Sequence, residues 1–419
     1  MSASALFLGL DLGTSGARAV VIDATGAQVA SFRSAIADHG TNHRDPVLWW
    51  GAAQTALRGA LAQVEVGQVR AIAVDGTSGT MLAVDGAGQP LGEGLMYNDP
   101  CIDTGILQSI TAQAPAASAA HGATSGAARA MLLARRAPQK VLHQADWISW
   151  HLSGQMVSDA NNALKTGYDP VAARWPEWLA SAGTDVTLLP PVVEPGTRIG
   201  TVTAQAATDF GLAYDCLVVA GTTDGCASFL ATGASEPGDG VTALGTTLTV
   251  KLLSDRPIFA PDYGIYSHRI LGQWLAGGAS NSGGAALLAH FTPDQMAALS
   301  PRIDPETDTG LDYYPLPAVG ERFPIADPAL APRITPRPLR DADFLHALFE
   351  GVAGIEALAF QRLVELGAPP LREVRSVGGG AANPVWARIR ARRLGVAMVA
   401  PLSDEAAFGT ALLAMRGAV

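Results

Sequence analysis

One short string occurs twice in this chain, at the same place in two stretches of the same plan, and that narrows the folds available. Leu12-Gly13-Thr14-Ser15 and Leu244-Gly245-Thr246-Thr247 each sit between the first two of three short apolar runs. In the first stretch the runs are Leu6–Leu10, Ala17–Ile22 and Gln28–Phe32, separated by Gly13-Thr14-Ser15-Gly16 and Asp23-Ala24-Thr25-Gly26. In the second they are Val241–Leu244, Leu248–Leu253 and Ile265–His268. Glycine-rich turns between short apolar runs predict hairpins. Each meander leads into a helix. Asp45 and Pro46 suit the cap and first turn of one that runs to about Val64, and Asp341 suits the cap of another over Asp341–Leu366. Buried strands and helices follow in both halves: Val69–Val74, Cys216–Ala220 and Ala227–Thr232, then Val374–Val377, Pro384–Leu394, Val396–Ala400 and Asp404–Met415. Pro100–Ala137 reads as loop then helix, and the Pro-rich stretch between the helix after Gly284 and Asp341 reads as loop. Four matching residues could arise by chance, but their place in both meanders points to a duplicated α/β unit. Two such units predict similar lobes facing each other across a cleft, a favoured place for a ligand.

The loops between these elements carry the polar chemistry. A turn of Gly, Thr and Ser exposes backbone amides and hydroxyls that can cradle phosphate oxygens without a lysine. An ordinary tight hairpin uses the same residues; the second copy, at Gly245 and Thr246, favours phosphate. Asp11 ends an apolar run just before the first turn, where the second stretch has Ala243. Magnesium takes a carboxylate together with substrate phosphates and waters, although Asp is also a common turn former. Gly221-Thr222-Thr223-Asp224-Gly225 joins a buried strand to a helix, where ligands bind in open α/β sheets. Asp224 either takes the proton of an attacking hydroxyl or caps the helix. Val377-Gly378-Gly379-Gly380-Ala381-Ala382-Asn383-Pro384 makes a similar junction. Asn383 and Pro384 suit a cap, but three consecutive glycines exceed what a cap requires and let the backbone approach a flat ligand.

Composition excludes several classes. The 419 residues carry 28 basic and 38 acidic side chains, a formal charge of −10, which argues against a nucleic-acid partner. Only Lys140, Lys165 and Lys251 are lysines. Cys101, Cys216 and Cys226 form no CxxC pair, so a zinc site or disulfide framework is not expected and a reducing cytoplasm fits. No run approaches the roughly 18 apolar residues of a membrane span. The early apolar run stops at Asp11 without a basic n-region, so a signal peptide is not expected. His43-Arg44-Asp45 and Asp209-Phe210-Gly211 spell two protein-kinase triplets, but no lysine precedes Lys140 and position 50 is Trp50, so both are coincidence. There is no G-K-[ST] for a Walker loop.

Leu10 through Arg18, the loop at Asp224, the turn at Gly245, Gly378 through Trp386, and Asp404 through Ala411 together resemble the FGGY family of carbohydrate kinases, in order and over nearly the whole chain. The resemblance implies an α/β fold of two RNase H-like (actin-like ATPase) lobes. Residues 1–231 would form the sugar and catalytic lobe with 405–419 packing back on it, and 232–404 the nucleotide lobe. It further implies that Asp224 is the general base and that Asp11 stands near the γ-phosphate, both reaching magnesium through water. Thr14, Ser15, Gly245 and Thr246 would meet phosphate, and Gly379, Gly380 and Asn383 the adenosine. Asp75 through Thr80 and Tyr97-Asn98-Asp99 are most similar to the short D-ribulose kinase branch, which implies that Ser78 holds the sugar with Asp11 and Asp224. Many members have Trp-x-Asp-x-Arg where this chain has Tyr97-Asn98-Asp99-Pro100-Cys101, so the sugar contacts of larger members do not transfer. The expected reaction moves the γ-phosphate of ATP to the terminal hydroxyl of D-ribulose, giving D-ribulose 5-phosphate and ADP. D-Xylulose or another ketose or polyol is the alternative. Two other classes are an actin-like ATPase acting on a protein partner and a non-catalytic sugar-binding protein; two lobes that use up the chain and the presence of both Asp11 and Asp224 count against them. ATP, magnesium and a pentulose are the expected ligands, with no nucleic acid or membrane, in a monomer or homodimer.

Overall fold

The computed structural model describes residues 5–419, and the chain divides into two compact units. The first takes the chain up to Gly233 together with His268–Gly272 and Glu405–Val419; the second takes Ala234–Ser267 and Gln273–Asp404. In the first unit the strands lie in the order Gln28–Ala35, Gly16–Asp23, Leu6–Leu12, Val69–Gly76, Leu217–Val219 and Arg198–Thr201. Gly16–Asp23 is antiparallel to both its neighbours, whereas Leu6–Leu12, Val69–Gly76 and Leu217–Val219 run parallel. The second unit repeats that order and those directions with Gln273–Ser280, Leu248–Ser254, Asp239–Leu244, Glu373–Val377 and Ala397–Val399. This is the RNase H-like arrangement, made twice, and both lobes that the duplicated string predicts are present.

The first sheet is covered on both faces, as period-two strands require. Leu6, Leu8, Leu10 and Leu12 point to one face, against Trp49, Ala52, Ala53 and Ala56 of the helix Pro46–Leu61. Phe7 points to the other face, against Ala407, Phe408, Ala411 and Ala414 of the last helix, Ala406–Gly417. The second core is built on the helix Asp341–Glu365, whose Leu345, Leu348, Phe349 and Val352 pack with Leu244, Val250 and Val374. Asp45 does cap its helix, its side chain accepting from the Val47 amide at 2.9 Å.

Several expected elements are placed differently. The third strand of the second meander is Gln273–Ser280, paired with Leu248–Ser254 over seven residues, and not Ile265–His268. Gly277 and Gly278 in that strand hide its alternation, because a residue without a side chain gives no hydrophobic signal. The cap of the long helix is Arg340; Asp341 is its first residue, where a negative charge suits the helix dipole. The helix from Pro46 ends at Leu61, after which the chain tightens into turns at Gln63 and Val64. Pro100–Ala137 holds two helices, Thr104–Gln113 and Gly126–Ala134, each with its own side-chain cap, Asp103 and Ser125. The helix after residue 223 begins at Asp224, three residues earlier than expected, and ends at Ala231. The Pro-rich stretch contains the helix Pro293–Leu299, started by Thr292 and Gln295 in a reciprocal cap.

Candidate active site

Three neighbouring parallel strands deliver the candidate residues of the first unit. Asp11 lies near the end of Leu6–Leu12 and Asp75 near the end of Val69–Gly76, while Leu217–Val219 continues through Ala220–Thr223 to Asp224. Asp11 and Asp75 are register partners, and Gly76 is bridged to Thr223. All of them therefore sit at the carboxyl end of one sheet, where such sheets bind ligands. Asp11 is half-buried and Asp75 fully buried. Burial pushes the Asp11 carboxyl up to about 6; a hydrogen bond with Asp75 opposes this, and the Asp224 charge adds to it. Asp75 is raised well above the carboxylate range, first by burial and then by Asp11. Two carboxyls this close in a low dielectric do not both ionise, so Asp75 holds the proton. Its Oδ2 also accepts a hydrogen bond from the Thr410 hydroxyl.

The capping role open to Asp224 falls to Thr223, whose side chain accepts from the Cys226 amide. Asp224 is the first helical residue, half-buried, and its Oδ1 accepts from the Gly225 amide at 2.6 Å. Ser78, in the loop after Val69–Gly76, has a buried hydroxyl with no hydrogen-bond partner. An unmet buried hydroxyl is unfavourable by roughly 1–3 kcal/mol unless a ligand or water meets it. Thr14 and Ser15 are exposed on the turn that follows Asp11, closed by the Gly13 amide on the Gly16 carbonyl at 2.9 Å. The loop at Tyr97-Asn98-Asp99 takes its arginines from elsewhere in the chain. The Arg44 fork grips the Asp99 carboxylate, with Nη2 to Oδ1 at 2.6 Å, and holds it below the usual range. Arg129 donates to the carbonyls of Tyr97 at 3.1 Å and Asp99 at 3.3 Å.

In the second unit, Val377 is the register partner of Ala243, so the Gly378 loop leaves the sheet beside the Gly245 turn. Gly378 has φ +86°, and a Cβ there would lie 2.8 Å from the Leu244 carbonyl oxygen, so this position requires glycine. Asn383 caps the next helix, its Oδ1 accepting from the Val385 and Trp386 amides at 3.1 Å each. Its Nδ2 donates to Ser300 Oγ at 2.8 Å. Together these loops line a cavity of about 630 Å³. Gly245, Thr246, Gly379, Gly380 and Asn383 all reach it, and Leu287, Met296 and Val385 make apolar walls. Trp386 stacks on Phe349 beneath, with ring centroids 4.9 Å apart and planes 9° from parallel. An apolar slot with few polar groups suits a flat heterocycle.

Residues 6–115 and 130–231 match the N-terminal domain of the FGGY family of carbohydrate kinases, and residues 240–418 match its C-terminal domain. The chain belongs to the FGGY family of carbohydrate kinases. A xylulose kinase of Streptomyces rubiginosus is 28% identical over 96% of this chain and 85% of its own length. An autoinducer-2 kinase of Yersinia enterocolitica is 27% identical, covering 98% of this chain and 86% of itself. The fold is that of a crystal structure described as a xyloylose kinase from Brucella ovis, with a TM-score of 0.84 at 24% identity over 99% of this chain and 90% of that one.

Sequence reasoning for this FGGY kinase passes over two features. Asp75 stands inside the motif around Ser78 but draws no notice, because its importance lies in its pairing with Asp11 across strands 64 residues apart in sequence. The cavity wall at Met296 and Ser300 lies in the stretch expected to be loop. The signal was there: Thr292-Pro293-Asp294-Gln295 has the spacing of a capping box.

Proposed function

We propose that this FGGY member is a pentulose kinase, with D-ribulose as the first candidate acceptor and ATP as the donor. The observation that carries the reading is the convergence of Asp11, Ser78 and Asp224 at one edge of three parallel strands, with an unmet hydroxyl on Ser78. Asp11, Ser78 and Asp224 would hold the sugar hydroxyls. Asp224 would accept the proton of the terminal hydroxyl as its oxygen bonds to the γ-phosphorus. The bond from that phosphorus to the β-phosphate oxygen breaks, and ADP leaves. Positioning and charge stabilisation dominate such transfers. The exposed amides and hydroxyls of Thr14, Ser15, Gly245 and Thr246 would meet phosphate oxygens, and the slot over Trp386, with Gly379, Gly380 and Asn383, would take the adenosine.

Among the described residues no three His, Cys, Asp or Glu side chains form a metal cluster. The donor set fits magnesium only as an ion shared with nucleotide phosphates, which is its usual preference. Asp11 and Asp224 would hold it through water, and when bound it neutralises phosphate charge. D-Xylulose is the second reading, supported by the names of the relatives; the likeness of Asp75 through Thr80 and of Tyr97-Asn98-Asp99 to the short D-ribulose kinase branch supports D-ribulose. The test is ADP release from purified protein with MgATP across D-ribulose, L-ribulose, D-xylulose, L-xylulose, ribitol and glycerol, with a no-sugar control. The fastest rate is expected with D-ribulose. A faster rate with another sugar replaces the substrate and keeps the kinase, whereas ADP release indifferent to every sugar overturns the kinase reading.

A further inference from the structure

The last helix does more than cover a sheet. It lies against both elements that carry the candidate catalytic carboxylates. On one side it meets the strand of Asp11 so closely that a Cβ on Gly9 would lie 2.1 Å from the Ala407 carbonyl oxygen. On the other it meets the helix that opens with Asp224, where a Cβ on Gly409 would lie 1.9 Å from the Ala227 carbonyl oxygen. The same Cβ on Gly9 would lie 2.3 Å from the Ala411 amide nitrogen, so the helix touches one element at Gly409 and the other at Ala411, and the residue between them is fixed relative to both. That residue is Thr410, wholly buried, and its hydroxyl donates to Oδ2 of Asp75. Asp75 is wholly buried too, and it is the register partner of Asp11. Neither side chain is open to a substrate.

We infer that Thr410 is a positioning residue: through its hydrogen bond to Asp75 it sets where the Asp11 carboxylate stands. The inference rests on the proposal that phosphoryl transfer occurs at Asp11 and Asp224. The Asp75 carboxyl has two neighbours able to orient it, Thr410 on one oxygen and Asp11 beside it. Its Oδ1 accepts no hydrogen bond. Without the hydroxyl, Asp75 is left to its contact with Asp11, turns toward it and draws Asp11 with it. Displacement of a reacting or charge-bearing group by an ångström lowers turnover by orders of magnitude while leaving binding through other contacts intact. A helix that only filled space would need the shape of Thr410, not its oxygen.

The experiment compares Thr410→Val, which keeps the shape, with Thr410→Ser, which keeps the hydroxyl. The readout is ADP release with and without the sugars above, with kcat and KM measured separately. Thr410→Val is expected to lower kcat about 10–100-fold with KM for ATP and sugar within about threefold of the parent. Thr410→Ser is expected to restore kcat to within about threefold. If the valine variant does not fold, Thr410→Ala replaces it against the same serine rescue. Unchanged kcat in the valine or alanine variant, or equal losses in valine and serine, overturns the inference and leaves the kinase reading standing. Sugar-independent ADP release by the parent overturns the kinase reading, and the same series then reads Thr410 on hydrolysis. No ADP release from the parent under any condition overturns both.

Discussion

At the scale of single residues, the site separates a half-open carboxylate, proposed as the proton acceptor, from one that burial keeps neutral. Asp224 is half-buried at a helix start, whereas Asp75 is sealed beside Asp11. Asp224→Ala is expected to lower kcat by about 10²–10⁴, the usual contribution of a general base. ADP binding, followed by calorimetry, is expected to stay within about threefold, because the cavity proposed for the nucleotide lies in the other unit. A second residue-scale expectation concerns His151, stacked on Trp50 with ring centroids 4.1 Å apart. Burial lowers its pKa from 6.5 to about 4. The unfolded chain therefore takes up a proton as pH falls below 6.5 while the folded one does not, and stability drops between those two values. The loss is on the order of 3 kcal/mol. Denaturant melts from pH 7 to pH 4 should show it in the parent and show a flatter slope in His151→Phe.

At the scale of elements, one buried ion pair ties the helix after the Gly378 loop to the core of the second unit. Glu356 on the long helix and Arg390 on the helix capped by Asn383 are both buried and joined by two hydrogen bonds of 2.6 Å. Thr242, on the strand before the Gly245 turn, donates to the same carboxylate at 2.5 Å. Three elements thus share one polar junction behind the cavity. Arg390→Met leaves a buried charge unpaired and is expected to cost about 3–5 kcal/mol. The double variant Glu356→Leu with Arg390→Met should recover much of that loss in denaturant melts, because two apolar side chains need no partner. A melt of the double variant no better than that of Arg390→Met alone would show that the junction is needed for more than charge balance.

At the scale of the whole molecule, the first unit is not one stretch of chain. Its sheet has Phe7, Val20, Ile22, Ala71, Ala73 and Val219 on a face that the last helix covers, nearly 190 residues after the strand Leu217–Val219. Arg198 reaches that helix as well, donating to the Gly417 carbonyl at 2.7 Å. A fragment ending at Gly233 therefore exposes an apolar sheet face and is expected to aggregate or bind a hydrophobic dye. The same fragment with 404–419 fused through a flexible linker should be soluble and unfold cooperatively. Cooperative unfolding of the fragment without that segment would show that the sheet has a sufficient core of its own.

The duplicated Gly-Thr turn, the two meanders and the glycine loops were legible in the sequence because each is a local pattern: short apolar periods, turn residues and caps act within a few positions of themselves. Asp11, Asp224, Asn383 and the family resemblance came from such strings. Strand Gln273–Ser280 was not legible, since its glycines carry no periodic signal. Nor was the helix at Pro293, whose apolar residues serve a cavity wall and not a continuous core face. The pairing of Asp75 with Asp11, and of both with Thr410, was decided only by the tertiary structure. Sheet register sets the first contact and helix docking the second, and both depend on surfaces buried between segments as much as 335 residues apart. The sequence by itself determined the family and the polar loops; the close packing of distant elements decided which carboxyl is shielded, which stays half-open, and what holds each in place.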